Sequence, residues 1–530
     1  MSGIGRASAL IGAGTVVSRL TGFLRAIVLV SAIGATSGAG NAFAIANQLP
    51  NNIYAIVSTG LLSAVVVPQI VKAAAHDDGG RAFISKLFTL GTVTLLAVTV
   101  VAVAAAPWLV QLYAPEFPPE QQALATAFAY WCLPQVFFYG LYALVGESLN
   151  ARRVFGPFTW APIVNNIVSI AGFIVFILLF GQTQAVSEWT PEMIALLGGT
   201  ATAGIVVQAL ILLLFWRRTG LHVRPDFRWR GVGLNHIGRL AGWTFLMVVA
   251  GQIAGLIQSQ VLSEAAERNP GIFVSQNAWL LFMLPYSIIV LSIGTPYFTQ
   301  LSEHAAKDRS DDVRADIGRS IRTLGVFIVI ATFALAAASV PASRIFTGSR
   351  EEAVGAAVVL VCFLVGLVPL AVLFVVQRTF YAYNDTRTPF FFTIVQCALV
   401  IATAWTAQAL LPVEYLAAGV ALGQSFASIV QVLIATWLLE RKLGRIGTAS
   451  WLFALGRFTL AAIPAAAVGW LVFVLFGGVD GWTASDKLLG AVGAAVIGIV
   501  SIAVYVGMLA LLRAPELAVA TQVVRRVIRR

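Results

Sequence analysis

The stretch TVVSRLTGFLRAIVLV, residues Thr15–Val30, decides the class of this protein. Apart from Arg19 and Arg25 it holds nothing charged, and the apolar run around it covers 7–35. About 20 such residues cross the hydrocarbon core of a bilayer. Counted from Ala7 at 1.5 Å per residue, Arg19 lies roughly 18 Å and Arg25 roughly 27 Å into the helix. Two guanidinium groups are thus predicted inside a transmembrane segment.

The rest of the chain agrees with a membrane solvent. Of 530 residues, 59% are hydrophobic and only 11% charged, with a mean hydropathy of +0.88. Soluble domains carry about 25% charged residues. The chain therefore reads as an all-α polytopic membrane protein. Its first apolar run lacks a short core followed by a small-residue cleavage site, so it is expected to be retained as a helix.

Fourteen transmembrane helices are predicted, over 7–35, 41–72, 83–112, 122–150, 157–183, 190–217, 236–263, 272–302, 318–340, 351–383, 389–411, 414–440, 452–477 and 486–513. Pro50, Pro68, Pro134, Pro285, Pro296 and Pro369 fall inside them and predict bends or local unwinding. With the N-terminus in the cytoplasm, 28 of the 34 Lys and Arg fall on cytoplasmic segments and helix ends. Arg268, Arg344, Arg350 and Lys487 fall on the other side, and Arg19 and Arg25 remain in the membrane. This bias predicts a cytoplasmic-membrane protein with both termini inside. The net charge of +11 is then mostly topology plus attraction to anionic membrane lipids, not nucleic-acid binding.

A weak internal echo runs at about 235 residues: Leu49-Pro50 against Leu284-Pro285, and LNARRVFGPF (Leu149–Phe158) against YNDTRTPFF (Tyr383–Phe391). Six helices per unit put both units in the same orientation, which predicts two six-helix lobes as parallel pseudo-repeats around a central cavity. The expected boundaries are 1–230 for the N-lobe, 231–445 for the C-lobe, 446–515 for two extra helices and 516–530 for a basic cytoplasmic tail.

Chemistry of the enzymatic kind has little support. Cys132, Cys362 and Cys397 form no CxxC pair, and His76, His222, His236 and His304 lack metal-ligand spacing. No phosphate-binding GxxxxGK[ST] loop occurs. No catalytic residue, metal or cofactor is expected. Gly251 and Gly255 fit a small-residue packing face, a weak signal in a chain with 47 glycines.

An arginine at the bilayer centre costs at least about 2.5–3.5 kcal/mol to insert. Either it snorkels or finds a buried partner, or a ligand supplies the anion. Glu147 is the clearest intramembrane carboxylate, near the cytoplasmic end of the fourth helix. Guanidinium stays charged and grips phosphate oxygens in a fork, so two of them facing a cavity suit a diphosphate. NAFAIANQLPNNIYAIVSTG on the second helix adds Asn41, Asn47, Gln48, Asn51, Asn52 and Tyr54. These, with Gln252, Gln258 and Gln260 on the seventh helix and Gln276 and Asn277 on the eighth, serve either a polar headgroup or interhelical hydrogen bonds. The candidate substrate-binding set is Arg19, Arg25, Asn41, Gln48, Asn51, Asn52, Tyr54 and Gln252.

SRLTGFLR, NQLPNNIYAIVSTGLLSAVVVPQIV, LNARRVFGPFTWAPIVNN and RTFYAYNDTRTPFF, in this order with fourteen helices, resemble the MviN/MurJ family of lipid II flippases within the multidrug/oligosaccharidyl-lipid/polysaccharide exporter superfamily. The Asn-Ala-Arg-Arg and Trp-Ala-Pro wording looks like its actinobacterial branch. The resemblance implies two lobes around a cavity that opens alternately to each side, and lipid II, an undecaprenyl-diphosphate-linked precursor, as substrate. It implies diphosphate binding at Arg19 and Arg25, and a lipid-tail groove on the last two helices. Members of other branches often carry an acidic residue at the position of Asn41 and an arginine at that of Tyr54. They carry an Arg and a Glu where this chain has Leu280 and Met283.

The leading expectation is a non-enzymatic lipid II flippase working by alternating access. The competing ones are a flippase for another polyprenyl-linked glycan, an antiporter of the MATE type, whose cavity would need carboxylates, and a transport-inactive scaffold that gathers cell-wall synthesis proteins.

Overall fold

Backbone polar groups in lipid must be satisfied within the chain, which leaves helices as the way to cross for a sequence of long apolar runs. The computed structural model describes residues 3–59, 81–152, 154, 156–183, 185–219, 223–227, 234–265 and 269–518. Among them no strand occurs. Twelve helices are long and apolar enough to span a membrane, and thirteen when one bent pair is counted. The predicted second helix is described only to residue 59, so its remainder and Pro68 lie outside the described residues.

The chain folds as two compact units, Met1–Glu267 and Arg268–Arg530. In the first, α1 (Gly3–Ile33) turns through Gly34, at φ +78°, into α2 (Gly38–Val57). Ser37 caps α2 by accepting from the Gly40 amide at 2.8 Å. Next come α3 (Arg81–Ala104), α4 (Ala106–Tyr113), α5 (Pro119–Cys132), α6 (Gln135–Ala151), α7 (Gly156–Phe180), α8 (Pro191–Leu213) and α9 (Leu234–Leu262). An aromatic core ties them together: Phe43 packs edge-on to Phe128, which meets Trp189, which stacks on Phe176. Such pairs contribute about 0.5–1.5 kcal/mol each beyond area burial.

The second unit contains α10 (Ile272–Pro285), α11 (Ser292–Ala306), α12 (Ser310–Ala337), α13 (Ser339–Arg344), α14 (Arg350–Leu364), α15 (Leu367–Ala382), α16 (Arg387–Leu410), α17 (Leu416–Leu443), α18 (Thr448–Leu475) and α19 (Lys487–Leu511). α18 and α19 pack on each other and on α12. Leu455 and Phe458 press on Gly325, where a Cβ would approach Leu455 to 2.5 Å. The Tyr505 hydroxyl donates to the Val326 carbonyl at 3.0 Å.

The helix breaks follow the prolines in part. Pro134 separates α5 from α6, and a π-turn, Tyr286–Leu291, follows Pro285. Pro50 and Pro296 lie inside continuous helices, and Pro369 sits just past the break between α14 and α15. The sharpest bend, 71°, falls at Ala105 between α3 and α4. Pro107, inside the predicted helix 83–112, stands in the first turn of the new helix, where its missing N–H costs nothing.

The two units resolve their breaks alike. Between α5 and α6 the freed Trp131 carbonyl accepts from the Thr202 hydroxyl at 2.6 Å. Between α14 and α15 the Ser425 hydroxyl donates to the carbonyls of Cys362 and Phe363, at 2.7 and 3.0 Å. Each donor sits on the helix two spans further along. The turns that close α6 and α15 match as well: Val154 N bonds Leu149 O at 2.8 Å, and Asp385 N bonds Phe380 O at 3.0 Å. The two turns correspond at an offset of 231 residues, a different register from the sequence echo.

Candidate functional site

Small residues place α1. Gly14 meets Thr159 and Trp160 of α7, where a Cβ would come within 2.8 Å of the threonine methyl. One turn on, Asn166 of α7 donates from Nδ2 to the Ser18 carbonyl at 3.1 Å and to Thr21 Oγ1 at 2.9 Å. Gly22 lies over the same amide. Positions 14, 18 and 22 recur at helical spacing, so one stripe of α1 is clamped to α7. Arg19 projects beside that stripe and is exposed, whereas Arg25 is half-buried.

Counted back from Ile33, where α1 ends, Arg25 lies about 12 Å and Arg19 about 21 Å along the axis. Both depths fall within a core of about 30 Å. The Arg25 guanidinium acts electrostatically on Tyr139 of α6. Tyr139 meets Tyr54 of α2 with ring centroids 5.5 Å apart. Arg25 and Tyr54 of the candidate set are therefore linked through Tyr139. Glu147 also acts electrostatically on Tyr54.

No carboxylate pairs with Arg19 or Arg25 among the described residues. Asn51, exposed, and Gln252, half-buried, likewise have no side-chain hydrogen bond there. Asn47, Asn51, Tyr54 and Ser58 recur at one to two turns, so they share a face of α2. Asn52 donates from Nδ2 to the Tyr113 hydroxyl at 3.3 Å. Asn41 is only 2% exposed and sits in the packed first turn of α2, and Gln48 is half-buried with partners of its own. Outside the set, Gln260 donates to the Leu112 carbonyl at 2.8 Å and Asn277 to the Phe273 carbonyl at 2.9 Å. The first ties α9 to α4, and the second stays within α10.

Tyr139 was not legible as a site residue, because one tyrosine in an apolar helix carries no sequence signal. Asn166 had only its place in WAPIVNN to mark it. The second unit holds another missed cation. Arg378 of α15 is half-buried over the rings of Phe298 and Phe374, at 5.0 and 5.3 Å. Cation–π contact lets a guanidinium rest in apolar surroundings without a carboxylate. Leu280 and Met283 of α10 are half-buried. Among the described residues, no group of three or more His, Cys, Asp or Glu is arranged to hold a metal.

The family model described as lipid II flippase MurJ matches residues 29–484. A probable lipid II flippase MurJ from Rhizobium meliloti (strain 1021) is 26% identical over 504 residues, covering 92% of this chain and 91% of the relative. A solved structure of a lipid II flippase MurJ in an inward closed conformation has a TM-score of 0.71 at 19% identity, covering 94% of this chain and 98% of that one. A multidrug resistance MATE family transporter of the MOP superfamily, inward-facing, has a TM-score of 0.66 at 16% identity over 82% of this chain and 96% of that one. At those identities the two structures speak to the fold alone.

Proposed function

This chain belongs to the MurJ family of lipid II flippases, and on that premise we propose that it carries an undecaprenyl-diphosphate-linked peptidoglycan precursor from the inner to the outer leaflet of the cytoplasmic membrane. The observation that carries the reading is the pair Arg19 and Arg25, at membrane depth on a helix clamped by Asn166, with no carboxylate partner among the described residues. A cation that the protein leaves unpaired in lipid calls for an anion from elsewhere, and a diphosphate offers several oxygens to two guanidinium forks.

The diphosphate binds Arg19 and Arg25, and the unpartnered amides of Asn51 and Gln252 take up sugar or peptide groups. Alternating access then exposes the headgroup to one side and the other, while the prenyl chain stays in lipid along α18 and α19. Transport needs no covalent step, so these residues bind and release without acting as acids, bases or nucleophiles. Both termini lie in the cytoplasm on this reading, in keeping with the distribution of Lys and Arg.

The MATE-like fold invites a second reading, export of organic cations. Glu147 lies on α6, and among the described residues Arg19 and Arg25 of the same unit have no carboxylate partner, which disfavours a cationic cargo. The test is complementation of cells depleted of their own flippase by wild type and by an Arg19→Ala, Arg25→Ala double variant, with outer-leaflet lipid II assayed in parallel. Wild type is expected to restore both. Rescue of growth and of outer-leaflet lipid II by a well-expressed double variant overturns the proposal.

A further inference from the structure

The second unit holds a basic cavity remote in sequence from α1. It has a volume of about 530 Å³ and lies among the first half of α11, the third and fourth turns of α12, the first three turns of α18, and the segment after α19. Arg319, Arg322 and Arg457 line it with Tyr297, Ser450 and Glu516. Small-molecule sites occupy about 300–1,000 Å³, so the space suits a headgroup.

Its charges are unevenly satisfied. Arg457 pairs with Glu516, yet its Nε is buried without a partner. Arg319 reaches Asp316 only at 3.4 Å, and Asp316 is already held by His304 at 2.8 Å and Gln300 at 3.3 Å. Arg322 donates to the Ser450 hydroxyl at 3.1 Å and has no carboxylate partner among the described residues. Three guanidinium groups therefore face one lining carboxylate. The Tyr297 hydroxyl, 3.3 Å from Thr323 Oγ1, adds a neutral polar group.

The depth and the rim identify the ligand class. Arg319 and Arg322 immediately precede the apolar run of α12, and Arg457 interrupts that of α18, so the cavity sits at the edge of the hydrocarbon region. The same helix leaves Leu452, Phe453 and Leu460 exposed, Phe453 by 74%. A free anion has no use for that apolar surface, whereas acyl chains would cover it. The positive-inside distribution puts these helix ends on the cytoplasmic side, where acidic lipids concentrate.

We propose that this cavity binds the phosphodiester of an acidic phospholipid, with Arg322 and Arg319 on the phosphate and the acyl chains along the exposed face of α18. The headgroup site is distinct from the arginines of α1, whereas its acyl chains share the surface of α18 with the prenyl chain of the proposed cargo.

The test uses the full-length protein in detergent with phosphatidylglycerol or phosphatidylcholine added, and counts retained lipids by native mass spectrometry. Wild type should keep one phosphatidylglycerol in preference to phosphatidylcholine. An Arg319→Gln, Arg322→Gln double variant should need at least tenfold more to do so, while an Arg441→Gln, Arg445→Gln control should match wild type. Equal retention of the two lipids by wild type, or an unchanged double variant, overturns the proposal. Displacement of the lipid by millimolar inorganic phosphate would assign a free-phosphate site and overturn the lipid reading. Should the double variant not fold, wild type alone decides: phosphatidylglycerol with a photoreactive acyl chain should label the peptide spanning 452–460, and labelling confined to other helices refutes the site.

Discussion

Asn166 of α7 holds the backbone of α1 at Ser18, donating to its carbonyl oxygen at 3.1 Å one residue before Arg19. A helix carrying two arginines in lipid needs such an anchor, since otherwise it can rotate or slide to let the charges snorkel. An Asn166→Ala substitution removes the bonds to Ser18 and to Thr21. Hydrogen bonds between membrane helices are worth about 0.6 kcal/mol each on average, so a loss of about 1 kcal/mol is expected in detergent unfolding. Outer-leaflet lipid II should fall although both arginines remain. Transport at the wild-type level in a destabilised variant would show that the anchor is structural only.

The two arginines should differ in their tolerance of lysine. Arg19 is exposed and Arg25 half-buried, within electrostatic range of Tyr139. An ammonium keeps the charge but not the planar fork. Arg19→Lys is expected to retain most transport, and Arg25→Lys to lose about tenfold, the equivalent of 1.4 kcal/mol. Tyr139→Phe should keep the ring contact with Tyr54 and stay near wild type, while Tyr139→Ala should resemble Arg25→Lys. Equal sensitivity of the two arginines in the outer-leaflet lipid II assay would contradict this assignment.

Gly366 and Ser425 make the break between α14 and α15 possible. A Cβ at Gly366 would lie 2.9 Å from Ser425 Oγ and 3.2 Å from the Ser425 Cα, and backbone cannot step aside. Gly366→Ala is therefore expected to cost about 1–3 kcal/mol by overpacking. Ser425→Ala, which removes one hydroxyl donor while the Gly366 amide still serves the Phe363 carbonyl, should cost about 1 kcal/mol or less. Thermal unfolding in detergent ranks the two, and a reversed order would place the hydrogen bonds above the close approach.

Acidification should loosen the turn between α15 and α16. Burial would raise the Asp385 carboxyl, but the Lys442 ammonium at 2.7 Å and the Thr388 amide and hydroxyl outweigh it and hold the group below its ordinary value of 3.8. A depressed folded value means that the stabilisation is present above the unfolded value and is lost as pH falls through the folded one. Hydrogen exchange at 383–388 should therefore be slow at neutral pH and rise as pH drops below 3.8. After correction for intrinsic exchange, Asp385→Asn should flatten that dependence; an unchanged profile would rule out the pair as its origin.

Periodicity could not show which polar residues in the spans are structural. Gln260 and Gln252 look alike in sequence, two turns apart on α9, yet one is spent on the Leu112 carbonyl and the other has no side-chain bond among the described residues. Arg344 looked like a charge outside the membrane. It is only 7% exposed, with its Nε on the Ala484 carbonyl and an Nη on that of Ser485. Partner identity arises from residues 140 positions away, which no local pattern encodes.

What the sequence alone determined is the solvent and the all-helical class. Apolar runs of about 20 residues have one stable form in a bilayer, and the cost of arginine in lipid makes Arg19 and Arg25 conspicuous in any reading. Tertiary structure decided the rest: the clamp of Asn166 on Ser18, the meeting of Tyr139 with Tyr54, and the cavity around Arg322. Each depends on side chains from different helices meeting at one place. Hydrophobicity drives insertion and is summed along the chain, whereas packing and hydrogen bonding between inserted helices depend on shape, and shape exists only once the helices are together.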